Sequence, residues 1–200
     1  MRTSAAVCLA FFASQPGAAA ESLTVEWSPA RPLTWADFQG STPDNAAQLR
    51  VASTTASLSW SFQYEIQWSP TSCLFRITHI DSAARFHPES SWVRPGHQTT
   101  DVLQHEQGHF DIAEIYKVAF EGQTQDLVNT SRECRGRSER QANQNAEREL
   151  SRLIGSIYDD VWQQFQTQQN AYDTETRHGI DADAQARWTR KIADSLRIGN

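Results

Sequence analysis

From Ala56 to Trp68 the chain alternates without a break. Ala56, Leu58, Trp60, Phe62, Tyr64, Ile66 and Trp68 are apolar, and Ser, Gln or Glu stands at every position between them. Successive side chains of a strand point to opposite faces, so this stretch predicts a strand with one packed and one wet face. Ser69-Pro70-Thr71-Ser72 turns the chain into a second strand-like run, "CLFRITHID", which predicts a hairpin. Short pieces flank the pair: "LTVEW" and "RPLTWADFQG" before it, and "SSWVRPGH" with a Pro95-Gly96 turn after it.

Beyond that turn the period changes from two to three and four. Val102, His105, His109, Ile112, Ala113, Tyr116 and Phe120 mark one face of a helix from Asp101 to about Leu127, with Thr100 or Asp101 as its cap. A second helix is expected from Ser138, where Ser138 and Gln141 have capping-box spacing. Its inner face reads Leu150, Leu153, Ile154, Ile157, Tyr158, Val161, Trp162 and Phe165. "YDTETRHG" ends or interrupts it, with Gly179 suited to the C-terminal cap. A last helix runs from about Asp183 to Leu196 and packs Ala184, Trp188 and Ile192. Strands first and helices after predict an α+β domain, β-rich over 21–97 and helical over 98–200, its N-terminal antiparallel sheet packed against the long helices.

The first twenty residues stand apart from this pattern. One Arg, an apolar run from Ala5 to Ala13, Pro16-Gly17 and then Ala18-Ala19-Ala20 form the pattern of a signal peptide cleaved after Ala20. The run is too short to span a bilayer, which takes about 20 apolar residues, and no later stretch is apolar enough. The expected product is an exported soluble protein, secreted or periplasmic, comprising 21–200. Cys8 leaves with the leader. Cys73 and Cys134 remain, and an even pair in an oxidising compartment is expected to form one disulfide. The chain after Ala20 carries 17 basic and 24 acidic side chains, net −7, which argues against a nucleic-acid partner. The one basic cluster (Arg132, Arg135, Arg137, Arg140) reads as a solvated loop and helix start.

Within the first long helix stands "HEQGH". Residues four apart on a helix are separated by about 40° around its axis, so His105 and His109 project from one face and can share an ion. Glu106 lies one residue's rotation away, within reach of a water on that ion. This is the H-E-x-x-H arrangement of zinc hydrolases, and shuffling a chain of this composition yields it about once in a hundred. Two buried imidazoles beside a carboxylate are expensive unless something satisfies them. A Zn2+ site with Glu106 as general base is therefore expected. For the third ligand, Glu114 lies nine residues past His105, half a turn away around the helix, and is expected to make a surface salt link instead. The segment from Tyr172 to Gly179 offers His178 first, with Glu175 and Asp173 in reserve, and Tyr172 as a candidate oxyanion stabiliser. His79, His87 and His97 lack ligand spacing. Gly108 costs the helix about 1 kcal/mol relative to Ala and hints at a close neighbour.

"LTWADFQG", "SWV", "LQHEQGHFDIAEIY" and "YDTETRHG", in this order, resemble a bacterial domain-of-unknown-function family of predicted secreted zinc-dependent proteases. The resemblance covers most of the chain after the leader. It implies a zincin-like fold, zinc on His105 and His109, and Glu106 as the catalytic carboxylate. The metzincin extension is absent, since Ile112 stands where its Gly would be. The expectation is an exported zinc metallopeptidase acting on a peptide or protein. The alternatives are a zinc amidase acting on cell-wall peptide, or a non-catalytic secreted binding module with a structural metal.

Overall fold

The computed structural model describes residues 2–8, 24–48 and 50–199. The expected cleavage point at Ala20 lies outside them. The architecture is mixed α+β: antiparallel strands, then three helices, with one further strand among the helices. The strands are β1 (Arg2–Cys8), β2 (Val25–Glu26), β3 (Ala52–Ser53), β4 (Ala56–Ser69), β5 (Ser72–Phe86), β6 (Trp92–Val93) and β7 (Ser131–Glu133). The helices are α1 (Thr100–Thr124), α2 (Glu139–Thr176) and α3 (Ala182–Gly199). No helix among the described residues is long and apolar enough to cross a membrane.

The described chain divides into two compact units, one of residues 2–8, 59–82 and 119–161, the other of 24–48, 50–58, 83–118 and 162–199. In the first unit β4 and β5 form the expected hairpin, though β5 is longer than its strand-like core and runs on to Phe86. The alternation in β4 buries Trp60, Phe62, Tyr64 and Ile66, and β5 adds Phe75 and Ile77. Phe120 and the stripe Ala142, Ala146, Leu150 and Ile154 complete this core. Trp60 meets Phe120 and Tyr158 with ring centroids 6.4 and 6.3 Å apart. β1 pairs with β4, from Arg2 opposite Trp68 to Cys8 opposite Phe62. β7 pairs with β5 at Leu74–Arg76, and the disulfide joins Cys73 to Cys134 where that pairing ends. At the start of α2 the amide of Gln141 donates to Ser138 Oγ, but the Gln141 side chain accepts from Arg137, one residue beyond a capping box.

The second unit holds the candidate chemistry. Its core contains Leu33, Phe86, Trp92, Phe110, Ile112, Ala113, Phe165, Tyr172, Ala184, Trp188 and Ile192. α1 starts one residue earlier than expected, and its cap is Thr99, whose Oγ1 accepts the amide of Val102. α1 is buried on more than the one predicted face. Phe110 packs on Phe86, and Trp27 Nε1 donates to the adjacent Asp111 at 2.9 Å. That second buried face explains Glu114. It makes the expected salt link, to Lys117 at 3.2 Å, but is 7% exposed and not on the surface. "TWADF" folds as a 3-10 turn, Trp35–Asp37, whose Asp37 carboxylate accepts from Thr34 and Arg31. β3 pairs with β6, and the Pro95-Gly96 turn follows as expected.

Candidate metal centre

The site is built from α1 and the last turns of α2. α2 stays helical to Thr176, so its buried stripe continues from Phe165 through Gln169, Tyr172, Asp173 and Thr176, at helical spacing. This brings Asp173 against His105 and His109. The three ligand atoms lie close together: His105 Nε2 to His109 Nε2 is 3.2 Å, and Asp173 Oδ1 is 3.2 Å from the first and 3.0 Å from the second. A tetrahedral ion with bonds of about 2.0–2.1 Å holds its ligand atoms about 3.3 Å apart. The triad therefore fits a single cation.

The proton positions point the same way. Gln169 Nε2 donates to the His109 carbonyl at 2.9 Å, which leaves Gln169 Oε1 to accept from His109 Nδ1. Tyr172 Oη donates to the His105 carbonyl at 3.2 Å and accepts from Gln185 Nε2 at 2.7 Å. That leaves Gln185 Oε1 to accept from His105 Nδ1 at 3.1 Å. Both imidazoles thus carry hydrogen on Nδ1 and turn Nε2 toward the carboxylate, as a lone pair when the ring is neutral and as a donor when it is protonated. With both rings neutral, two lone pairs and a carboxylate oxygen converge in a buried place and repel one another unless a proton or a metal cation lies between them. The electrostatics reflect this. Burial opposes charge on His109, yet Asp173, Glu106 and Gln169 outweigh it and hold its pKa above the ordinary imidazole value. Burial likewise opposes charge on Asp173, but hydrogen bonds from His105 and His109 and the charges of His109 and His178 hold its carboxyl well below the usual range.

Glu106 is 3% exposed, and its Oε2 is buried without a hydrogen-bond partner. A buried carboxylate oxygen without a partner normally marks a missing water, ion or substrate. Arg50, residues 51–53 of β3 and its approach, Val102 and His178 border the opening above the triad.

The other expected site residues fall around this centre. His178 Nδ1 lies 3.1 Å from Asp173 Oδ1, on the edge of the triad and 39% exposed. Glu175 faces away and accepts from Trp188 Nε1 at 2.8 Å. Tyr172 is fully buried, stacked on His105 at 4.6 Å, and burial raises its pKa. It positions the first histidine and has no access to an oxyanion, which corrects the sequence expectation. Gly108 has the close neighbour its helix position hinted at: a Cβ there would lie 2.3 Å from Tyr172 Oη. Arg177, His178 and Gly179 all take left-handed backbone, and Gly179 abuts the His105 ring, where a Cβ would lie 3.0 Å from Cγ. His79 pairs with Asp81, His87 with Ser57, and His97 closes a turn on Arg94. Sequence reasoning missed Gln169 and Gln185. Their only signal is position, one turn beyond Phe165 and next to Ala184 on buried stripes. No family model, curated protein or solved structure matches this chain.

Proposed function

We propose that the protein is an exported zinc-dependent peptidase with a zincin-like fold, whose ligands are His105, His109 and Asp173. The observation that carries this reading is a three-donor centre whose imidazoles each meet a glutamine amide oxygen at Nδ1, beside a buried glutamate oxygen that lacks a partner. Two imidazoles and one carboxylate suit zinc. Zinc bound there supplies Lewis acidity and lowers the pKa of a coordinated water toward neutrality. Glu106 takes the proton from the attacking water and delivers it to the departing amide nitrogen. Gln169 and Gln185 hold the imidazoles in the binding tautomer, and Tyr172 fixes the plane of His105. β3 borders the opening and pairs with β6 on one side. Its other edge suits an extended peptide. The disulfide suits an oxidising compartment.

The test is zinc content and cleavage of a peptide library by the wild type and Glu106→Gln. One zinc per chain in both, with cleavage only by the wild type, is the expected result. Zinc in both and cleavage in neither would reduce the centre to a structural metal. Cleavage of only cell-wall peptides would move the assignment to an amidase.

A further inference from the structure

Zinc held at the triad would carry part of the charge that develops on a scissile carbonyl oxygen, and a positive side chain at the opening would carry more. Adding water to an amide carbonyl forms a C–O bond and places negative charge on the carbonyl oxygen. Expelling the amine then breaks the C–N bond, with Glu106 carrying the proton between them. Fixed positive groups aimed at that oxygen are a large source of rate in acyl transfer. Tyr172 is sealed in the core and cannot serve.

Resting on the hydrolytic reading, we propose that Arg50 is the oxyanion-stabilising catalytic residue of this site. Arg50 borders the opening above His105, Glu106 and His109. Its Nη2 lies 3.6 Å from Asp173 Oδ2, while Oδ1 of the same carboxylate faces the two imidazoles. The guanidinium thus stands against the outer oxygen of the triad's own carboxylate. At 3.6 Å the ion pair is too long for a good hydrogen bond, and among the described residues the guanidinium has no other partner. With the side chain 43% exposed, its donors remain available to a bound substrate. A guanidinium also stays charged whatever the pH, which suits it to a fixed electrostatic role.

The backbone under Arg50 is held for such a task. Arg94 Nε donates to the Arg50 carbonyl at 3.1 Å, and Arg94 Nη2 reaches the carbonyls of Ala46 and Ala47 at 3.0 and 3.4 Å. The Arg94 amide donates to Val51 at 2.8 Å. One buttressing arginine thus fixes the loop that presents the other. A charge that needs no reorganisation at the moment of reaction is the kind that lowers a barrier.

The experiment uses the zinc-loaded full chain, wild type against Arg50→Gln. It reads zinc affinity, steady-state kinetics on a peptide blocked at both ends, and calorimetric binding of a peptide phosphonate, a tetrahedral anion. Expected in the variant is a loss of about 100-fold in kcat, the usual effect of removing one such donor. Phosphonate affinity should fall by a similar factor, with KM and zinc affinity little changed. Intact zinc binding also shows that the variant folds. Unchanged kcat and phosphonate affinity would overturn the proposal. So would a loss of zinc affinity as large as the loss of activity, which would make Arg50 a positioning residue for Asp173. A defect confined to KM for peptides with a free C-terminal carboxylate would assign Arg50 to reading the chain end. A wild type that cleaves nothing would instead defeat the hydrolytic reading itself, and this role with it.

Discussion

Replacing Gly108 by Ala tests whether the centre is as tightly built as its geometry states. On a solvent-facing helix the substitution stabilises, because Ala exceeds Gly in helix propensity by about 1 kcal/mol. Here the added Cβ would stand 2.3 Å from Tyr172 Oη, 2.8 Å from Cζ and 3.0 Å from Cε1. Ordinary contacts between carbon atoms are about 3.5–4.0 Å, so the ring has to retreat by roughly an ångström. It has nowhere to go. Tyr172 is 0% exposed, lies against His105, His109 and Trp188, and is bonded at Oη to the His105 carbonyl and Gln185. Overpacking costs about 1–3 kcal/mol. Losing two hydrogen bonds adds about 2 kcal/mol. Set against the propensity gain, the net destabilisation is about 2–4 kcal/mol. Urea unfolding of the metal-free protein, followed by tryptophan fluorescence, measures it. Tyr172→Phe removes the closest atom, so the double variant should lose at least about 1 kcal/mol less than the sum of the singles. A Gly108→Ala protein as stable as the wild type, or a strictly additive pair, would refute this packing.

Four further outcomes concern this centre and the disulfide of the first unit. Asp173→Ala should weaken zinc binding by more than about 100-fold, His178→Ala by less than about tenfold, and Glu175→Ala not measurably. Competition with a chromogenic chelator reads all three, and a larger loss in His178→Ala than in Asp173→Ala would reverse the ligand assignment. Gln169→Leu and Gln185→Leu should each cost about 10–100-fold in zinc affinity while leaving all three ligands in place. In the metal-free protein His109 titrates above its ordinary value, so its contribution is full below about pH 6.5 and fades as pH rises through its folded pKa. Asp173 titrates below its ordinary value, so its contribution is present above about pH 3.9 and is lost as pH falls through its folded pKa. Thermal unfolding in chelator should therefore peak between about pH 4 and 6.5, and zinc should move the optimum upward as it displaces the proton. An identical pH profile with and without zinc would contradict this. Cys73→Ser with Cys134→Ser opens a link across 61 residues and should cost about 4 kcal/mol on the chain-entropy model, read by urea midpoint.

What could be read in advance was local. The alternation in β4, the helix carrying His105 and His109, and the stripe of Ala184, Trp188 and Ile192 are short-range patterns, and each took its expected form. The third member of the triad was a question of phase. Reading the Tyr172–Gly179 segment as the point where α2 breaks discards the helical register, and Asp173, Glu175 and His178 then look alike. With α2 helical to Thr176, Asp173 falls eight residues after Phe165 on the buried stripe, while Glu175 turns the other way. Glu114 was given the correct rotation but the wrong surroundings, because a helix covered on two sides has a buried back. Gln169 and Gln185 were silent because an uncharged amide belongs to no ligand motif, and its role appears only when the imidazole opposite it is known.

His105 and His109 are brought together by a single turn of α1, whereas Asp173 enters 64 residues after His109. With zinc on the triad as proposed, a peptide of α1 alone would be bidentate toward it. The gap between its affinity and that of the whole chain would measure the effective concentration at which α2 delivers its carboxylate. The metal would thereby serve as a gauge of how firmly two distant stretches of sequence are clasped.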